Sequence, residues 1–351
     1  MNREEMRELL QYVGEADSVV GMRDYTLNEG MAKGMRVIDV RNGNGLELTL
    51  LPDRCLDIAY FRLRGVNIGY ASKTGLVAPQ FFVEDGARGF LKSFNAGMLT
   101  TGGITYAGGA GEYNGVKHGL HGVIGNTAAD HVNKELVYGA DGEAVLRVTG
   151  RMREVEVFGQ NMVMERAISV DTKANVVTIN DVVRNEGFAE QLVMNVYHVN
   201  FGYPLLNEGA RVYFSAKNMQ PRDEVAQKGA ARYNVMEKPA AGRPEECFFH
   251  TDDKPQKDSF AMLVSADGKL AVAVHYNEEQ CPLLCEWKCL CAGDYALGLE
   301  PTVSGVMGAG AAEKAGMLRK VEPGGEYRMD ISLEVLEEEE RIKSFIEKAA
   351  K

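Results

Sequence analysis

Residues 163–183 set the pattern for most of the chain. Val163-Met164-Glu165-Arg166-Ala167-Ile168-Ser169-Val170 roughly alternates apolar and polar side chains, Asp171-Thr172-Lys173-Ala174-Asn175 supplies turn residues, and Val176-Val177-Thr178-Ile179-Asn180-Asp181-Val182-Val183 runs back. A period of two puts successive side chains on opposite faces, so the stretch predicts a β-hairpin. Asn185-Glu186-Gly187 marks another turn, and Gln191 to Phe201 reads as the next strand. Residues 259–275 repeat the theme, turning at Ala266-Asp267-Gly268. Strand follows strand without long intervening helices, which disfavours a parallel α/β sheet and predicts a large sandwich of antiparallel sheets. Helical composition is confined to residues 3–13 and 335–350. In the second, Leu336, Ile342, Phe345 and Ile346 share one stripe.

Composition narrows the class. The 351 residues are 45% hydrophobic, ample for a large core, and all-β folds of this length often form one domain, expected here over 1–351. The net charge of −11, with no stripe of Lys and Arg, argues against nucleic acid and an anionic membrane surface as partners. The charged start Met1-Asn2-Arg3-Glu4-Glu5 is not a signal peptide, and no stretch approaches the ~20 apolar residues of a membrane helix. A cytoplasmic location follows as the expectation. The sequence does not fix the oligomeric state, and a homo-oligomer is compatible with it.

Four of the six cysteines are bunched at Cys281, Cys285, Cys289 and Cys291, without paired C-x-x-C knuckles, so reduced buried thiols are expected rather than a zinc site. On a strand, Cys285, Trp287, Cys289 and Cys291 share a face. Residues 217–258 are polar, hold four prolines and read as a long surface excursion of the kind that is often functional. The Gly- and Tyr-rich residues 102–116 lack a phosphate-loop pattern and read as an irregular loop at a site mouth.

Few side chains in such a scaffold call for a chemical explanation. His121 lies in Gly119-Leu120-His121-Gly122, where glycines permit close approach of a ligand. His118 is three residues earlier, and the glycines argue against the helix that would let the pair chelate a metal. It is expected to line a pocket. His198 sits in Met194-Asn195-Val196-Tyr197-His198-Val199-Asn200-Phe201, much polar chemistry for one buried strand. A solvated pocket would relieve that cost. Glu300 closes the apolar run Tyr295-Ala296-Leu297-Gly298-Leu299, and partial burial there would lift its pKa toward the range of a general base. Imidazoles and a carboxylate are the usual parts of an acid–base site near neutral pH. Arg54, in Leu51-Pro52-Asp53-Arg54-Cys55-Leu56-Asp57-Ile58, reads either as an ion-pair partner of Asp53 and Asp57 or as a fork for sugar hydroxyls. Lys92 and Arg222 are further candidates of that type, and Asn200 a candidate substrate contact.

In the order and spacing of Leu51–Ile58, Ser72-Lys73-Thr74-Gly75-Leu76, and Gly119–Gly122 with Asn126-Thr127, the chain resembles the galactose-mutarotase-like superfamily, specifically an aldose-1-epimerase-like branch, over roughly residues 30–335. The resemblance implies a β-supersandwich with a small carbohydrate in a groove on one curved sheet and no required cofactor. It matches His121 to an active-site histidine, His198 to the general acid and Leu299-Glu300 to the segment carrying the general base. Where mutarotases place an arginine before the first histidine, this chain has Lys92. The implied activity is interconversion of sugar anomers by ring opening and reclosure. Three other readings are a non-catalytic carbohydrate-binding protein, a metal-dependent isomerase or oxygenase using His118, His121, His198 and Glu300, and a polysaccharide lyase or hydrolase, which would need a long cleft and a second carboxylate near Glu300.

Overall fold

Twenty of the strands gather into two antiparallel sheets in the structure, a computed structural model that describes residues 1–350. The larger sheet has twelve strands. Its middle runs Leu99–Ile104, Gln191–Phe201, Asp294–Thr302, Leu283–Cys291 and Glu246–Thr251, each hydrogen-bonded to the next. The smaller sheet has eight strands and is built on the expected hairpin, Asn161–Asp171 paired with Val176–Asn185. The expected second hairpin, Ser259–Val264 with Ala271–Tyr276, lies in the same sheet.

Alternation explains the stacking. Leu146, Val148, Ile168, Val170, Ile179 and Val183 turn from the smaller sheet toward Ile58, Phe61, Leu99, Tyr197 and Val199 of the larger one and form one continuous apolar core. On Gln191–Phe201 the inward set includes Tyr197, so His198 faces outward. The candidate site therefore lies on the outer face of the larger sheet.

The core carries one buried ionic cluster. Arg166, fully buried, donates from Nε and Nη2 to Asp181 at 2.9 and 2.7 Å, and from Nη1 to Asp57 at 3.0 Å. Tyr197 donates its hydroxyl to the same Asp181 at 2.7 Å. The guanidinium thus ties Asp57 of the larger sheet to Asp181 of the smaller.

Three expectations are corrected. The N-terminal helix is Arg3–Leu9, and the C-terminal one is Glu339–Ala349, because Val335 and Leu336 pair within the last strand, Glu326–Leu336. The excursion of 217–258 is not a plain loop: Asn218–Pro221 and Glu246–Thr251 add two strands at the edge of the larger sheet. No helix among the described residues is long and apolar enough to cross a membrane.

Candidate functional site

His198 reaches the outer face at the centre of the larger sheet. Its Nδ1 lies 2.5 Å from Asn200 Oδ1 and 3.3 Å from Glu300 Oε1. The Asn200 amide nitrogen donates to the His198 carbonyl at 2.7 Å and more weakly to that of Ala96 at 3.4 Å. That leaves Oδ1 as an acceptor, so His198 carries its proton on Nδ1 and presents Nε2 to a ligand.

Glu300 comes from the neighbouring strand and is 2% exposed; its Oε1 is buried without a hydrogen-bond donor. Gly298, two residues before it, explains how the carboxylate fits: a Cβ there would stand 2.3 Å from Glu300 Oε1. His121 completes the group, its ring 5.6 Å from that of His198, edge to face, and 5.1 Å from Phe90. Its backbone sits at φ +59°, held by its N–H on Gly108 and its carbonyl on the Gly103 N–H. Its Nδ1 is buried and unpartnered.

Burial governs the charges. Desolvation, helped by the charge of Glu245, pushes Glu300 well above the usual carboxylate range. Desolvation lowers His198 to about 3, with neighbouring His121 in support and Asn200 opposing. It lowers His121 to about 4 against the pull of Glu245. At neutral pH both imidazoles are therefore neutral, and burial favours the protonated form of the Glu300 carboxyl.

These three residues line one cavity of about 600 Å³. Phe90 of the short helix Ala87–Ser93, and Phe94 just after it, form one wall. Trp287 forms another, its ring centroid 5.3 Å from that of His198. Glu245 stands at the mouth, both oxygens engaged: Trp287 Nε1 donates to one at 2.8 Å and Arg222 Nη2 to the other at 3.0 Å. Arg222 also pairs with Asp223 and donates to Cys247 Sγ at 2.8 Å. Such an arrangement offers an acid, a base, an aromatic platform and a fixed acceptor to a polar ligand.

Not every sequence candidate belongs here. Arg54 is buried away from the cavity and spends its guanidinium on the backbone carbonyls of Gly125, Val77 and Ser93, so it braces loops and meets no ligand. It does not pair with Asp53 or Asp57 either. Asp53 binds Arg36, and Asp57 binds Arg166. Lys92 points to solvent and pairs with Asp85 at 3.2 Å. His118 stacks on Tyr106, centroids 4.1 Å apart, and lines a separate cleft. The four-ligand set of the metal reading is therefore not assembled, and no group of His, Cys, Asp or Glu among the described residues is arranged to hold a metal ion. Asn200 is buried and serves His198 instead of lining the cavity. Of the cationic candidates only Arg222 reaches it.

The thiol expectation holds for Cys281 and Cys285, which are buried. Cys289 and Cys291, however, are only half-buried and line the cavity, because the face shared with Trp287 is the ligand-facing one; buried Cys247, opposite Trp287 on the next strand, also lines it. Sequence reasoning missed Glu245, Phe90 and Phe94. Glu245 falls in the excursion already marked by its length and polarity, which was the only signal available.

Comparison with solved structures defines the class: the fold is that of galactose-mutarotase-like proteins. A Klebsiella pneumoniae protein described as a "putative aldose 1-epimerase" superposes with a TM-score of 0.87 at 23% identity, over 94% of this chain and 86% of its own. A galactose mutarotase-like protein of Clostridium acetobutylicum gives 0.65 at 15% identity, over 92% and 100%. Galactose 1-epimerase of Lactobacillus acidophilus gives 0.60 at 14%, over 91% and 99%. In sequence, residues 32–335 match the family described as "Domain of unknown function (DUF4432)", and the chain belongs to that family. No curated protein sequence matches it.

Proposed function

We propose that the protein is an aldose-1-epimerase-like enzyme that interconverts the α and β anomers of a sugar by acid–base ring opening and reclosure. The observation that carries this reading is that His121, His198 and Glu300, from three distant segments, surround one cavity with Glu300 Oε1 buried and lacking a donor. An anomeric hydroxyl is a suitable donor for that oxygen.

The reaction requires a carboxylate and an imidazolium together. Burial disfavours each charge alone, but charges 3.3 Å apart stabilise one another in a site closed by ligand. A sugar hydroxyl donating to Oε1 favours the ionised carboxylate, and the proton that Glu300 gives up is taken at His198 Nε2, since Nδ1 already holds one against Asn200. Glu300 then takes the proton of the anomeric hydroxyl as the C1–O1 double bond forms. His198 Nε2 gives its proton to the ring oxygen as the C1–O5 bond breaks. The carbonyl carbon turns, and the same transfers in reverse close the ring on its other face. His121 lies where it can donate to the ring oxygen, Trp287 offers its face to the sugar, and Arg222 fixes Glu245 as an acceptor. The reading calls on side chains alone, acts on a small carbohydrate and is compatible with a cytoplasmic setting. The supporting fold likeness is with proteins described as aldose and galactose epimerases.

Polarimetry or NMR anomer exchange over a panel of aldoses tests it. Acceleration by wild type, and its loss by about 10²-fold or more in Glu300→Gln, is expected. A wild-type protein that accelerates none of them would overturn the reading. Glu245, a second carboxylate in the same cavity, favours one other reading, glycosidic-bond cleavage. Free monosaccharide released from a disaccharide would decide for it.

A further inference from the structure

The cavity extends well beyond the catalytic trio. Along the paired strands Leu283–Cys291 and Asp294–Thr302, Glu300 stands opposite Cys285, Gly298 opposite Trp287, Ala296 opposite Cys289 and Asp294 opposite Cys291. Glu300, Trp287, Cys289, Cys291 and Asp294 all line the one cavity. Six residues separate Glu300 from Asp294, which at about 3.4 Å per residue makes roughly 20 Å of strand. That is several times the length of one pyranose ring.

Between the ends the side chains beside the cavity-lining residues are small: Ala296 has only a methyl, and Gly298 leaves room for the Glu300 carboxylate. Tyr70 and Trp287 line the trench, and the Lys73–Asp294 ion pair, 2.7 Å between Nζ and Oδ2, stands at its far end. Aromatic surfaces beside hydroxyl and charged groups suit a sugar ring better than an alkyl chain. A volume of about 600 Å³ also exceeds what one ring fills.

We infer that the trench is a second sugar subsite and that the physiological ligand is a reducing oligosaccharide of two or more rings. Its reducing ring lies at Glu300 and its next ring between Trp287 and the Lys73–Asp294 pair. The assignment of the reducing ring rests on the proposed anomer exchange, whereas the existence of the subsite does not.

Calorimetric titration of the Glu300→Gln protein with glucose, maltose, cellobiose and their trisaccharides tests the subsite without chemistry. At least tenfold tighter binding of one disaccharide series than of glucose is expected. Lys73→Ala, at an exposed position, and Cys291→Trp, which fills the far end, should each erase most of that gain. In wild type the same disaccharide should show at least tenfold higher kcat/KM for anomer exchange than glucose, its bond remaining intact. Equal affinity for one ring and two, binding of neither, or a gain that both variants leave untouched overturns the subsite. Tight disaccharide binding without any anomer exchange upholds the subsite and removes the mutarotase reading instead.

Discussion

Asn200 shows how a residue that never meets the ligand can set the chemistry. By accepting from Nδ1 it fixes which nitrogen of His198 faces the cavity. Asn200→Ala is expected to lower kcat by between about ten- and a hundredfold while KM stays nearly constant, because orientation and not affinity is lost. Steady-state kinetics separates the two. The depressed histidines make a second prediction. An ordinary imidazole would gain its proton near pH 6.5, but His121 and His198 stay neutral until about 4 and about 3. The kcat/KM profile should therefore show no histidine limb near pH 6.5 and an acid limb only nearer pH 4. A fall centred at 6.5 would contradict the burial argument. At this scale the sequence was partly legible. His198 and Glu300 stood out because polar groups in apolar strands demand a reason, and His121 because glycines beside it let a ligand approach. Arg54 misled because an arginine flanked by aspartates looks the same in sequence whether it serves a ligand or the backbone.

The strand Leu283–Cys291 divides its labour by face. Trp287, Cys289 and Cys291 meet the cavity, while Leu284 and Leu290 join the core. On that second side Glu286 bonds His250 at 3.0 Å, and Lys288 donates to the carbonyls of Arg232 and Val235. Elements of this sort were readable where alternation is long and clean, as in Val163–Val183 and Gln191–Phe201. They were unreadable in Asn218–Pro221, a short polar edge strand, and in Glu246–Thr251, the short strand beside it, since both assignments depend on the sheet they join. The C-terminal stripe was misplaced for a related reason: Leu336 fits a helical period by spacing but packs as a strand residue. Between the sheets, Arg166→Ala would strand Asp57 and Asp181 in the core. A loss of about 3–5 kcal/mol in urea unfolding is expected. Arg36→Ala, which breaks the partly exposed pair with Asp53, should cost only about 1 kcal/mol or less.

For the molecule as a whole, the two site histidines work against stability in acid. His121 and His198 are neutral in the fold well below the pH at which the unfolded chain protonates them. From about pH 6.5 downward the unfolded state binds more protons at these two imidazoles, so their contribution to stability falls as pH falls, while buried Glu300, raised in the fold, contributes in the opposite sense. Thermal unfolding across that window should show the wild-type Tm losing ground, as pH falls, to that of the double variant His121→Gln/His198→Gln. The architecture was legible in outline, two antiparallel sheets with little helix, because hairpins announce themselves locally. Which face of which sheet would carry the site was not, since that depends on how the sheets stack. The two-faced strand then limits how relatives of this chain can diverge. Substitutions along Leu283–Cys291 leave each position on its own side. A single inserted or deleted residue would reverse the phase: Glu286 and Lys288 would swing toward the cavity, and Trp287 would be driven into the interior.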